Sequence, residues 1–167
     1  MSLVVEDGTG LANSETYNSL VTAEAYMLAH GSPEAWAALA TDAKKEAALR
    51  YGSRWLDGHY RWLGSISHPE TPQAKAFPRV NLVDSWGRFY DSDEIPQAIK
   101  DLECEAALYH LKKAVNTVYE RGGQIQSRSA EGASISYFEG ASVTPVDPYL
   151  DDLAAPFVGA SNVMLRA

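Results

Sequence analysis

Thr41-Asp42-Ala43-Lys44-Lys45-Glu46-Ala47-Ala48-Leu49-Arg50-Tyr51-Gly52-Ser53-Arg54-Trp55-Leu56-Asp57-Gly58 decides the fold class. Thr41 and Asp42 bring side-chain oxygens that accept from the free amides of a first helical turn. Behind them Ala43, Ala47, Tyr51 and Trp55 recur every four residues, and Ala48 and Leu56 widen the stripe into a core-facing helix face. Gly58 predicts the end of this helix.

Toward the N-terminus, Ser32 and Pro33 read as cap and first position of a short helix. A helix beginning after Thr22 and closing at Gly31 precedes it. Residues 1–21 pass through Gly8, Gly10 and Asn13 without helical period and read as an extended arm.

Toward the C-terminus, Pro69, Pro72 and Pro78 break residues 59–94 into a long connection whose Trp and Phe side chains imply packing. Ile95-Pro96 opens the longest expected helix, to about Glu120, with Ile99, Leu102, Ala106, Tyr109, Val115 and Val118 near helical spacing. Its acids come early (Asp101, Glu103, Glu105) and its bases late (Lys112, Lys113, Arg121), as the helix dipole favours. After Gly122-Gly123 the period changes to that of a hairpin turning at Glu131-Gly132. Asp147-Pro148 starts a short helix through about Ala155, and Pro156 with Gly159 dissolves it into a tail. The expectation is a mainly α fold, a small helical bundle with a β-hairpin and extended N- and C-terminal arms. Its divisions are arm 1–21, bundle 22–121, hairpin 122–140, and short helix with tail 141–167.

A chain of 167 residues, 46% of them hydrophobic, supports one main core rather than two. Its net charge of −8 is uneven: residues 1–42 hold six acids and no Lys or Arg, and residues 131–167 hold five acids against Arg166. The ends thus carry −6 and −4 and the middle +2, which argues against tight wrapping by a phosphate backbone. Cys104 is the single cysteine and has no intrachain disulfide partner, and Met1-Ser2-Leu3 lacks a secretory start, so synthesis in the cytoplasm is expected. No apolar run approaches a membrane span, so no membrane partner is expected.

Reactive constellations are weak. Asp91-Ser92-Asp93-Glu94 has carboxylates at alternate positions, but the calcium-loop places six and twelve hold Pro96 and Leu102, so capping of the following helix is the expectation. His59, His68 and Asp57 have no metal-ligand spacing. Asp7-Gly8-Thr9-Gly10 lacks the strand, helix and Lys of a phosphate loop. Cys104 lies between Glu103 and Glu105, which raise a thiol pKa, and no Gly-x-Ser-x-Gly is present. Trp55, Tyr60 and Trp62 could stack bases, but without a basic groove the cluster reads as core or subunit contact. No enzyme, metal or cofactor is expected.

The order of Glu6-Asp7-Gly8-Thr9-Gly10, Trp36, Lys44-Lys45-Glu46-Ala47-Ala48-Leu49 and Trp55-Leu56-Asp57-Gly58 continues with Tyr60-Arg61-Trp62-Leu63-Gly64, Gln73, Phe77-Pro78-Arg79 and Ile95-Pro96. This order resembles the phage family often labelled DnaT-like single-stranded-DNA-binding protein, whose members resemble head-tail adaptors or connectors. The resemblance covers roughly residues 3–120. It implies a virion structural protein at the head-tail interface, a ring of about twelve copies that joins the portal protein to a tail-side stopper, nozzle or tail-completion protein. Genome DNA would pass through the lumen without specific binding, and the acidic charge suits that passage. The alternative is a single-stranded-DNA-binding replication accessory protein.

Two residue sets follow from the adaptor reading. Phe157, Val158, Val163, Met164, Leu165 and Arg166 are the expected portal-binding tail, and Ile125, Ile135, Tyr137 and Phe138 the expected subunit-interface hairpin.

Overall fold

The computed structural model describes residues 3–30, 33–112, 127–130, 133–136 and 148–159. Its helices are α1 (Leu20–Ala29), α2 (Pro33–Ala37), α3 (Asp42–His59), α4 (Gln97–Lys112) and α5 (Pro148–Ala154), with a 3-10 turn over Ala155–Phe157. Two antiparallel strand pairs complete it: β1 (Ser65–Ile66) with β2 (Arg79–Val80), and β3 (Ser127–Ala130) with β4 (Ala133–Ser136). The expected class, mainly helical with one longer hairpin, is the observed one.

Helix α3 begins where Thr41 predicts, with its hydroxyl accepting from the Lys44 amide. Its buried face differs from the expected stripe. Ala48, Leu49, Gly52, Ser53 and Leu56 are buried, whereas Ala43, Ala47 and Tyr51 are exposed and Trp55 is half-buried. The cause is Gly52: a Cβ there would stand 2.8 Å from the Ala107 amide nitrogen and 2.9 Å from the Glu103 carbonyl oxygen. The two helix backbones cross at this glycine, and a count of apolar side chains does not register it. Helix α1 also begins earlier than expected, because Ser19 rather than Thr22 caps it, accepting from the Thr22 amide at 3.2 Å.

Helix α4 lies between two apolar clusters. Cys104, Ala107 and Leu108 meet Ala23, Met27, Trp36, Ala48 and Leu49 from α1, α2 and α3. Ile99, Leu102 and Ala106 join the larger cluster, which contains Leu56, Tyr60, Trp62, Phe77, Leu82, Leu150 and Phe157. The 59–94 connection packs as its aromatics imply. Phe77 is fully buried before a cis Pro78, and the Arg79 guanidinium donates to the carbonyls of Trp62, Leu63, Gly64 and Ala76.

The N-terminal lead-in is not a free arm. Val5 bridges Thr16, the Glu6 amide donates to the Thr16 carbonyl at 2.8 Å, and Tyr17 belongs to the larger cluster. Glu103 fastens it to α4, and was expected to serve the helix dipole instead. Its buried carboxylate accepts from the amides of Tyr17 (2.9 Å) and Asn18 (2.8 Å) and from the Asn18 side chain (2.9 Å). Among the described residues, no helix is long and apolar enough to cross a membrane.

Candidate nucleic-acid interface

The expected base-stacking cluster is interior. Tyr60 and Trp62 are buried, Trp62 meets Phe77 edge-on at 5.2 Å, and half-buried Trp55 stacks on His59 at 4.2 Å. These rings are occupied by one another, so the core reading of the cluster is the observed one.

A different pair of aromatics faces water. Trp86 is 68% exposed and Phe89 83% exposed, on a loop that follows the buried Leu82. Exposure of both rings is not explained by a lax loop, because the backbone is tied at several points. Val83 bridges Phe89, the Asp84 amide donates to the Arg88 carbonyl at 3.0 Å, and the Tyr90 amide to the Leu82 carbonyl at 3.2 Å. The Gly87 amide closes a turn on the Asp84 carbonyl at 2.9 Å, and Gly87 holds a positive φ of 82° that favours glycine. The Ser85 amide donates to the Pro156 carbonyl at 2.9 Å, which ties the loop to the end of α5.

Asp84 organises the loop from inside. Its carboxylate accepts from the amides of Trp86 (3.0 Å) and Arg88 (2.9 Å), from Arg88 Nε (2.7 Å) and from the Tyr90 hydroxyl (3.2 Å). Burial alone pushes this carboxyl up. The Arg88 amide and guanidinium and the Trp86 amide outweigh it and hold it below the ordinary aspartate range. The Arg88 guanidinium, still largely in water, lies over the Trp86 ring at 5.0 Å. A rigid loop thus presents two exposed rings and a cation. Ring faces of this kind stack on bases without regard to sequence, and a guanidinium beside them pairs with phosphate.

The other sequence candidates find structural work. The Glu6 carboxylate accepts from the amides of Gly8, Gly10 and Leu11 and from Ser14 Oγ, at 2.7–3.1 Å, so the glycine loop closes on its own acid rather than on phosphate. Asp91 and Glu94 bond to each other, with Glu94 Oε2 accepting from the Asp91 amide at 3.4 Å, where capping of α4 was expected. Asp57 pairs with Lys75 and accepts from the Tyr17 hydroxyl. His59 lies 4.0 Å from Asp151, and no group of three metal-ligating side chains forms among the described residues. Cys104 is buried, and burial followed by Glu103 pushes its thiol up, which disfavours a thiolate.

Of the expected portal-binding tail, Phe157 is buried in the larger cluster and half-buried Val158 bridges Trp62. Both pack within the chain rather than forming a free anchor, because the 3-10 turn folds this segment back onto residues 61–63. Val163, Met164, Leu165 and Arg166 lie outside the described residues. In the expected interface hairpin, Ile135 pairs with Arg128 across β3 and β4, while Ile125, Tyr137 and Phe138 lie outside the described residues.

Trp86 and Phe89 were missed in the sequence. Asp84-Ser85 and Gly87 mark a turn in the sequence, but nothing there distinguishes its rings from the buried ones of the same connection.

A family model described as "Putative DnaT-like ssDNA binding protein" matches residues 1–167. No curated protein and no solved structure matches the chain. The matched description names a single-stranded-DNA binder and no virion component, so it overturns the virion, head-tail adaptor and portal-binding expectation.

Proposed function

The chain belongs to the DnaT-like single-stranded-DNA-binding family, and from that premise we propose that it binds single-stranded DNA through the Asp84–Tyr90 loop, without catalysis. The observation that carries this reading is the pair of exposed rings, Trp86 and Phe89, on a backbone fixed by Asp84. Trp86 and Phe89 stack on bases, and Arg88, already over Trp86, contacts the adjoining phosphate.

Magnitudes set the expected strength. Base–aromatic stacking contributes about 1–3 kcal/mol per base, so two rings supply roughly 2–6 kcal/mol. That range corresponds to dissociation constants from tens of millimolar to tens of micromolar for one loop. A chain of −8 gains little from long-range attraction to phosphate. Stacking therefore dominates, and the salt dependence is shallow, with a log–log slope of about −0.7 per phosphate contacted.

Titration of a fluorescent oligothymidylate at low and high salt tests this. Trp86→Ala is expected to weaken binding by about 5- to 100-fold, the loss of one stacked base, while buried Trp62 serves as a reporter of intact packing. Absence of binding by the unaltered chain, or binding by both Trp86→Ala and Phe89→Ala as tight as that of the unaltered chain, would remove the loop from this role.

A further inference from the structure

A second feature lies away from the aromatic loop, along α3. An open cleft of about 530 Å³ is lined by Arg50, Arg54, Asp57 and Gly58 on the helix, by Ser14 and Glu15, and by Ala74 and Lys75.

The cations in this cleft differ in how fully they are engaged. Arg50 is committed: its guanidinium donates to Glu15 at 2.9 and 3.0 Å and to Glu46 at 3.2 Å. Lys75 is 94% buried, which is rare for an ammonium. Asp57 Oδ2, at 2.7 Å, takes one N–H, and the Tyr17 ring lies 5.1 Å beneath it. An ammonium has three donors, and Lys75 lines the cleft. Arg54 is exposed and has no ion-pair or hydrogen-bond partner among the described residues. Its five N–H donors are all available.

Gly58 supplies a separate indication. Inside a helix, glycine costs about 1 kcal/mol relative to alanine. Elsewhere in α3 that cost has a packing reason, since Gly52 admits the α4 backbone. Gly58 stands in the last turn, where glycine suits a helix end; it also lines the cleft, and an added Cβ there would meet nothing within 4 Å.

We propose that this cleft binds a phosphate group of a nucleotide or of a nucleic-acid strand, held between the Arg54 guanidinium and the Lys75 ammonium, with Gly58 allowing close approach. Glu15 is paired with Arg50 and Asp57 with Lys75, so Arg54 is the lining cation without a carboxylate partner among the described residues. The inference does not rest on the Trp86 loop, although both sites would serve one strand.

Calorimetric titration of the full chain with thymidine, thymidine 5′-monophosphate, inorganic phosphate and a short oligothymidylate tests it. The monophosphate is expected to bind and thymidine not to. Arg54→Glu, an exposed helix position, should weaken monophosphate binding at least tenfold. Gly58→Ala should weaken it several-fold while the melting temperature holds or rises, which separates ligand space from folding. Competition by inorganic phosphate identifies the free anion as sufficient, whereas Arg54-dependent binding confined to monophosphate and oligonucleotide assigns the nucleotide or strand. Equal affinity for thymidine and its monophosphate, or monophosphate affinity unchanged in Arg54→Glu, overturns the proposal, as does absence of any monophosphate or oligonucleotide binding. If the monophosphate binds with Arg54 dependence while the oligonucleotide does not bind, the cleft stands and the loop reading falls. If Trp86→Ala loses the oligonucleotide yet keeps the monophosphate, both stand as separate sites.

Discussion

The segment from Trp55 to Leu63 and the loop from Asp84 to Tyr90 are both rich in aromatics, and the fold treats them oppositely. In the first, Tyr60 and Trp62 are buried against Phe77, and Trp55 covers the edge with His59. In the second, Trp86 and Phe89 stand in water while the backbone beneath them is tied by Asp84. The first segment is continuous with α3, and its rings pack in the larger cluster with Phe77 and residues of α4. The second lies in a turn whose polar groups bond inward, to Asp84 and to the Pro156 carbonyl, and so leave the rings outside. An aromatic ring is assigned to core or surface by where its backbone's hydrogen bonds go, more than by its own hydrophobicity. Substitutions on each side of this divide test it.

The largest effect is expected in the buried set. Phe77 is fully buried between Tyr17 and Trp62, with ring centroids at 6.1 and 5.2 Å. Phe77→Ala removes those contacts and leaves a cavity in the larger cluster, at a cost of about 3–5 kcal/mol. For a chain of this size that lowers the melting temperature by roughly 6–20 °C. A shift of only a degree or two would show that the connection is not part of the cooperative core, and the contrast between the two segments would lose its first half.

An intermediate effect sharpens the comparison at the buried polar anchor. Burial pushes the Glu103 carboxyl up to about 7, against the lowering effect of the Tyr17 amide and the Asn18 side chain. An acid whose folded pKa is raised holds its proton more tightly when folded. Its stabilising share is complete below about 4.5 and is lost as pH rises through about 7. The chain should therefore melt higher at pH 5.5 than at pH 8, by an amount bounded on the order of 3 kcal/mol. Glu103→Gln should flatten that slope. It also sets an amide N–H against a backbone donor, so the variant should be less stable than the parent at pH 5.5. Asp84 and Glu15 are held low and act in the opposite sense only below the ordinary carboxylate range. A parent slope that survives in Glu103→Gln would assign the pH dependence elsewhere.

The sequence made the helical skeleton legible because its punctuation is local. Thr41, Pro33 and Ile95-Pro96 mark helix starts that the structure keeps within two residues. The buried face of α3 was not legible, since Gly52 contributes no hydrophobicity, and its importance comes from a residue some fifty positions away in α4. Glu103 failed for a related reason: an acid near a helix start suits the dipole, and only the returning N-terminal segment makes it a clamp. The exposed loop was hidden among the prolines and aromatics of the 59–94 connection. Nothing in its composition separates Trp62 from Trp86, and the Asp84 contacts that do so are made in three dimensions.

The smallest structural effect should be found at Trp86 itself, and that smallness is the point. The ring is 68% exposed, and its contacts include the Arg88 guanidinium, which Asp84 holds independently. Trp86→Ala therefore removes little buried surface, and the change in stability should lie within about 0.5 kcal/mol, as for surface substitutions generally. The Asp84 bonds to the amides of residues 86 and 88 are made by the backbone and survive the substitution. Urea unfolding of the variant beside the parent checks this: coincident midpoints with weakened oligonucleotide binding would separate the ring's role from folding. A midpoint lowered as far as that of Phe77→Ala would mean that Trp86 packs on the chain itself. The two aromatic segments would then be one core, and the case for a stacking surface at residues 84–90 would end.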